Sequence, residues 1–134
     1  MERSLVLIKP DAVERNLIGS IIQVYEDSGL KVIDIRIEQI TEEFAKLHYK
    51  EHEGKSFFES LIKYITRSPL VAMVLEGENA IEVIRHVNGA TDPNKAEEGT
   101  IRRLFALNKS ENSVHASDSI ESAKREINIW FPNL

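Results

Sequence analysis

Six apolar residues in a row, Leu70-Val-Ala-Met-Val-Leu75, stand between Pro69 and Glu76-Gly77. The run is far too short to cross a bilayer, which takes about 20 residues as a helix. Its length and its Pro and Gly flanks predict a buried strand. A chain of 134 residues must assemble the rest of its structure around that strand. This length suits one domain spanning residues 1–134 with a single core.

The hydrophobic periods on either side supply the partners. Ser4 to Ile8 reads as a short apolar strand ended by Lys9-Pro10-Asp11. Ile18, Ile21, Ile22 and Tyr25 recur at helical spacing, and Ser28-Gly29 closes that helix. Ile33, Ile35 and Ile37 alternate with Asp34, Arg36 and Glu38, as in a strand with one wet face. Thr41 is placed to cap a helix through Phe44, Leu47 and His48. Ser56 with Glu59, Asn79 with Glu82 and Asp118 with Glu121 have capping-box spacing. The helices they open would bury Phe57, Leu61 and Ile65, then Ile84, then Ile120, Ala123, Ile127 and Trp130. Regular structure lapses from about Gly89 to Val114, a length that in a compact domain points to function. A short strand follows around Ser113 to Ala116. The order predicts an α+β sandwich of the ferredoxin-like kind: a four-stranded antiparallel sheet with helices on one face.

Composition narrows the function. A net charge of −5 argues against stable nucleic-acid binding, which needs a basic face, but a few converging cations still suit a small anionic ligand. Cysteine is absent, which removes disulfide and thiol chemistry and fits a cytoplasmic setting. No signal peptide is evident at the N-terminus, and no segment suits a membrane.

Two motifs do not survive inspection. Gly54-Lys55-Ser56 resembles the end of a phosphate-binding loop, but Tyr49 stands where its first glycine belongs. His48-Tyr-Lys-Glu-His52 has the spacing of an inverted zinc-protease motif but lacks an evident third ligand. The better constellation is His115 in Asn112-Ser-Val-His-Ala-Ser-Asp-Ser119. A neutral imidazole is nucleophilic near pH 7 when a partner fixes its tautomer, and Glu126 on the following helix is available. Phosphoryl transfer needs mainly positioning and charge neutralisation, and Lys9, Arg85 and Arg102 supply cations.

The chain resembles the nucleoside diphosphate kinase family over essentially its whole length. The resemblance is carried by Leu7-Ile-Lys-Pro-Asp-Ala-Val13, His48-Tyr49, Phe57-Phe58, Val71-Ala-Met-Val with Glu76-Gly77, Gly89-Ala-Thr-Asp-Pro93, Gly99-Thr-Ile-Arg102, and Asn112 to Ser119 with Glu121-Ser-Ala123. It implies that His115 is the phosphorylated nucleophile, attacking through Nδ1, with Glu126 orienting the ring and Ser117 bonded to that carboxylate. It places Lys9, Tyr49, Arg85, Thr91, Arg102 and Asn112 around the phosphates and sugar, and Phe57 with Leu61 around the base. It implies Mg²⁺ held mainly by nucleotide phosphates, with no dedicated protein metal site. It also implies nucleoside di- and triphosphates as substrates, and a homo-oligomer, tetramer or hexamer, built from dimers.

Four features depart from the family pattern. Ala116 replaces a frequent glycine, Arg103-Leu104 replaces a small residue and an acid, and Lys109 falls where an apolar residue often covers the base. The chain ends at Leu134, without the longer tail of some members, and a weaker higher assembly is the corresponding expectation. The expected chemistry is ping-pong transfer of a γ-phosphoryl group through His115, with weak base discrimination. A non-catalytic nucleotide-binding module is the alternative that a phosphotransfer assay separates. A DNA-binding regulator, a third class, is disfavoured by the charge.

Overall fold

The predicted succession of strands and helices is present in a computed structural model of the chain, which describes residues 1–134. β1 (Glu2–Ile8) leads into α1 (Pro10–Glu14) and α2 (Ile18–Asp27). β2 (Lys31–Glu38), α3 (Glu42–His48), α4 (Phe58–Thr66) and β3 (Leu70–Gly77) follow. α5 (Ala80–Asn88), α6 (Ile101–Phe105), β4 (Val114–Ala116) and α7 (Ile120–Trp130) complete the chain. The four strands form one antiparallel sheet in the order β2-β3-β1-β4, the ferredoxin-like arrangement. No helix is long and apolar enough to cross a membrane.

Helices cover both faces of the sheet, not the single face expected. On one side Val6, Ile8, Met73 and Leu75 pack with Ile21 and Tyr25 of α2, Ile84 of α5 and Ile101 of α6. On the other, Leu5, Leu7, Leu70 and Val74 pack with Ala45 of α3, Ile62 and Ile65 of α4, and Trp130 of α7. The reason lies in the run Leu70 to Leu75, because a strand apolar at every position has two faces to bury. Leaving Leu5, Leu7, Leu70 and Val74 wet would forfeit about 8 kcal/mol at roughly 2 kcal/mol each, most of a domain's stability.

β2 also departs from expectation. A bulge between Val32 and Asp34 shifts its register against β3. Ile33 therefore joins the layer of Trp130, whereas Ile35 and Ile37 pair opposite Met73 and Val71 and stay 45% and 61% exposed. Arg36, expected to be solvated, stacks over the Phe131 ring at 4.6 Å.

Helix ends show which caps are real. Thr41 accepts from the Phe44 N–H at 3.1 Å, as its position predicted. Ser56 caps nothing: α4 starts after Phe57, which is exposed instead of buried in the core. Asn79 adopts left-handed backbone (φ 52°) and makes no cap, and the Glu2 carboxylate accepts from the Ile81 N–H instead. Ser119, one residue after Asp118, caps α7 through the Ser122 N–H at 3.0 Å, and Ile120 is exposed. Two short helices are additional. Pro10 opens α1, where a missing N–H costs nothing, and Thr100 caps α6 inside the stretch expected to be irregular.

Candidate active site

β4 pairs with β1 in the register Leu7 to His115, which brings two ends of the chain together beside the C-terminal end of β1. The Lys9 N–H donates to the Ser113 carbonyl at 2.8 Å, and the Lys9 ammonium donates to Asn112 Oδ1 at 3.0 Å. Ser113 itself turns through left-handed backbone (φ 71°). His115 leaves the sheet on the side of α3 and α7. Its Nε2 lies 2.9 Å from Glu126 Oε1, and Ser117 Oγ donates to the same oxygen at 2.9 Å. The Leu5 N–H donates to Ser117 Oγ at 3.2 Å, so the sheet backbone fixes the whole relay. Glu126 accepts from Nε2–H, which fixes the proton there and leaves the Nδ1 lone pair without a protein partner.

Beside the ring lies a polar compartment of about 180 Å³, lined by Lys9, Arg85, Asn88, Thr91, Arg102 and His115, among others. Its cations crowd one another. Burial, then the positive charge of Arg102, lowers the Lys9 pKa from 10.5 to about 8, with Asp11 opposing. Burial, then Arg85, lowers that of Arg102, with Tyr25 opposing. Such a cluster suits an anion. Arg102 is held by three carbonyls: Gly89 at 2.9 Å, Val114 at 2.8 Å and Asn112 at 3.4 Å. Gly89 has to be glycine. Its φ is +81°, and a Cβ there would meet Thr100 Oγ1 at 2.6 Å.

A second compartment of about 300 Å³ shares Lys9 with the first. Phe57, Ser60, Leu61 and Tyr64 form its α4 wall, and Lys109, Ser110 and Asn112 the facing loop. The pair of compartments has the outline of a nucleotide, with an aromatic slot leading into a cationic end. A more apolar cleft of about 440 Å³ between the start of β1 and α7 contains none of these groups. It has the volume but not the chemistry.

Ten of the eleven expected site residues either line these compartments or bond directly to His115 or Glu126. Tyr49 is the exception. It is buried behind His48, ring to ring at 4.6 Å, and its hydroxyl has no partner. Two of the four departures from pattern lie clear of the compartments' polar groups. Ala116 has ordinary strand backbone, Arg103 turns away to the Pro93 and Asn94 carbonyls, and Leu104 points to solvent. Lys109 joins the wall of the slot.

Two further residues, Asp11 and His48, belong to stretches that carry the family resemblance but were given no role at the site. Buried Asp11 accepts from Tyr64 Oη, from Ser113 Oγ at 3.0 Å and from Arg15 at 3.2 Å, which ties the slot wall to the turn before β4. His48 stands edge-on to His115, ring centroids 4.9 Å apart, and accepts from the Trp130 indole N–H at 3.0 Å. Burial, then the field of His115, pushes the His48 pKa well down, so a neutral ring stands beside His115.

Known proteins are similar to this chain in sequence and fold. The family model described as nucleoside diphosphate kinase matches residues 2–134. A nucleoside diphosphate kinase of Clostridium perfringens is 68% identical over 134 residues, covering 100% of this chain and 94% of that one. One from Saccharolobus islandicus is 50% identical over 131 residues, covering 98% and 95%. Among solved structures, that of the Aquifex aeolicus nucleoside diphosphate kinase superposes with a TM-score of 0.94 at 38% identity, covering 97% of this chain and 94% of that one. The structure of a family protein from Babesia bovis gives 0.94 at 43% identity, covering 98% and 88%. With a family match over residues 2–134, relatives at 68% and 50% identity and the same fold, the chain belongs to the nucleoside diphosphate kinase family.

Proposed function

We propose that His115 carries the phosphoryl group in the family's reaction, the transfer of a γ-phosphoryl from a nucleoside triphosphate to a nucleoside diphosphate. The observation that carries this reading is the His115–Glu126–Ser117 relay, which holds the proton on Nε2 and leaves Nδ1 free beside Lys9, Arg85 and Arg102. The Nδ1 lone pair attacks the γ-phosphorus, a P–N bond forms, and the bond to the β–γ bridging oxygen breaks. The nucleoside diphosphate leaves with that electron pair. A second diphosphate then attacks the phosphohistidine through a terminal oxygen and restores the ring. Glu126 offsets the positive charge that the ring gains during each transfer.

Lys9, Arg85, Thr91, Arg102 and Asn112 hold phosphates and sugar, and Tyr49 supports the ring layer behind His115. Phe57 and Leu61 flank the base, and a π-face accepts any base. The family's activity needs a divalent cation. Mg²⁺ fits here as a passenger on the nucleotide, because the phosphate compartment is lined by cations and Glu126 is already engaged by His115 and Ser117. When bound, it neutralises phosphate oxygens. Phosphoryl exchange between several nucleoside triphosphates and a labelled diphosphate tests the reading. Exchange that persists at the normal rate in His115→Ala would defeat it.

A homo-oligomer is the second part of the proposal, either a tetramer or a hexamer built from dimers. It rests on β2, a sheet edge whose Ile35 and Ile37 are exposed, a surface that proteins normally pair or protect.

A further inference from the structure

Asn88, the last residue of α5, is a polar side chain with 2% of its surface exposed, and that small exposure opens on the cationic compartment. Its carbonyl oxygen is already taken: Tyr25 Oη donates to Asn88 Oδ1 at 2.6 Å from inside the core. That spacing is typical of O–H···O contacts and short for N–H···O, so it assigns the oxygen to the tyrosine side. Burial raises the Tyr25 pKa, so the phenol stays a donor at neutral pH. The amide nitrogen then has no protein acceptor, and it is not sealed in the core: the only fully enclosed side-chain polar atom without a partner is Tyr49 Oη, so the Asn88 amide is open to the compartment it lines. In its compartment every neighbour that could meet a phosphate is a donor too: Lys9, Arg85, Thr91 and Arg102.

We infer that Asn88 is a further phosphate-binding residue, whose amide N–H is aimed at a nucleotide phosphate oxygen by the Tyr25 hydroxyl behind it. This rests on the reading that nucleotide phosphates occupy the compartment. Tyr25 acts as a positioning residue: its hydroxyl, by donating to Oδ1, holds the amide oxygen toward the core and the nitrogen toward the compartment. A neutral donor adds a bond without adding to the repulsion among Lys9, Arg85 and Arg102.

The test separates ligand binding from packing. Removing both members of a buried hydrogen bond is nearly neutral for folding, whereas removing one is not. The Tyr25→Phe, Asn88→Leu double variant should therefore melt close to the wild type, yet bind adenosine diphosphate about tenfold more weakly by titration calorimetry, the loss expected for a hydrogen bond to a charged group. Tyr25→Phe alone, which frees the amide to turn, should fall between the two in affinity. Adenosine diphosphate bound by the double variant as tightly as by the wild type would overturn the inference. So would a double variant too unstable to fold combined with wild-type affinity in Tyr25→Phe. If the wild type itself bound no diphosphate, the reading of the compartment would fail, not the role of Asn88 alone.

Discussion

Replacing Glu126 by alanine isolates the part of the site that is not charge on the phosphates. The carboxylate accepts from His115 Nε2–H at 2.9 Å and is itself 5% exposed, so water does not readily take its place. A hydrogen bond to a charged group contributes about 2 kcal/mol, which converts to roughly 30-fold in rate. The expected loss is therefore about 30-fold in phosphorylation of His115, because the correct tautomer is no longer enforced and the ring's developing charge is unopposed. Nucleotide affinity should barely move, since Lys9, Arg85 and Arg102 are untouched. Glu126→Gln keeps an acceptor for Nε2–H and should lose less than the alanine variant. Rapid-quench measurement with γ-labelled triphosphate reads the rate, and calorimetry reads the affinity. An alanine variant phosphorylated at the wild-type rate, or one whose loss lies wholly in nucleotide binding, would refute the reasoning.

Three further outcomes are expected. Nucleotide affinity should be full below pH 8 and fall above it, because Lys9 (pKa lowered to about 8 by burial and Arg102) must take up a proton to meet phosphate. Unfolded lysine keeps its proton to 10.5, so the Lys9 contribution to folding stability should rise between pH 8 and 10.5, opposite to affinity; Lys9→Met should flatten both profiles. Lys109→Leu, which puts an apolar side chain on the wall opposite Phe57, should tighten diphosphate binding about fivefold for roughly 1 kcal/mol of added burial; weaker binding in titration would mean that the ammonium itself meets the nucleotide. Ile37→Glu should lower the sedimentation coefficient at micromolar concentration, and an unchanged coefficient would remove β2 from the assembly surface.

What the sequence disclosed was mostly what depends on neighbours along the chain. The run Leu70 to Leu75, the period of Ile18 to Tyr25 and the Thr41 cap all read directly as β3, α2 and α3. The bulge at Ile33 did not, because a one-residue insertion in register leaves the alternation of Ile33, Ile35 and Ile37 intact on paper. The capping pattern at Ser56 failed because α4 starts beyond it, after Phe57, and that at Asn79 because a cap needs extended backbone where this residue is left-handed; spacing reveals neither. α1 and α6 are one turn and a little more, too short to show a period. The site divided the same way. His115 stood in a local polar motif, the chemistry it needs pointed to Glu126, Lys9, Arg85 and Arg102, and the resemblance to a family added Ser117, Tyr49, Thr91, Asn112, Phe57 and Leu61. Asp11 with Tyr64, and Tyr25 with Asn88, are joined only through the packed fold, across 53 and 63 residues of sequence.

The identity of the phosphoryl carrier is the central claim, and one experiment addresses it most directly. The protein is incubated with γ-labelled ATP and Mg²⁺, freed of nucleotide, and tested for bound label before and after brief acid treatment. One labelled phosphoryl per chain, lost in acid, stable in base, returned to added nucleoside diphosphate and absent from His115→Ala, is the result predicted. Label that survives acid, or label retained by the His115→Ala variant, would contradict the assignment of His115.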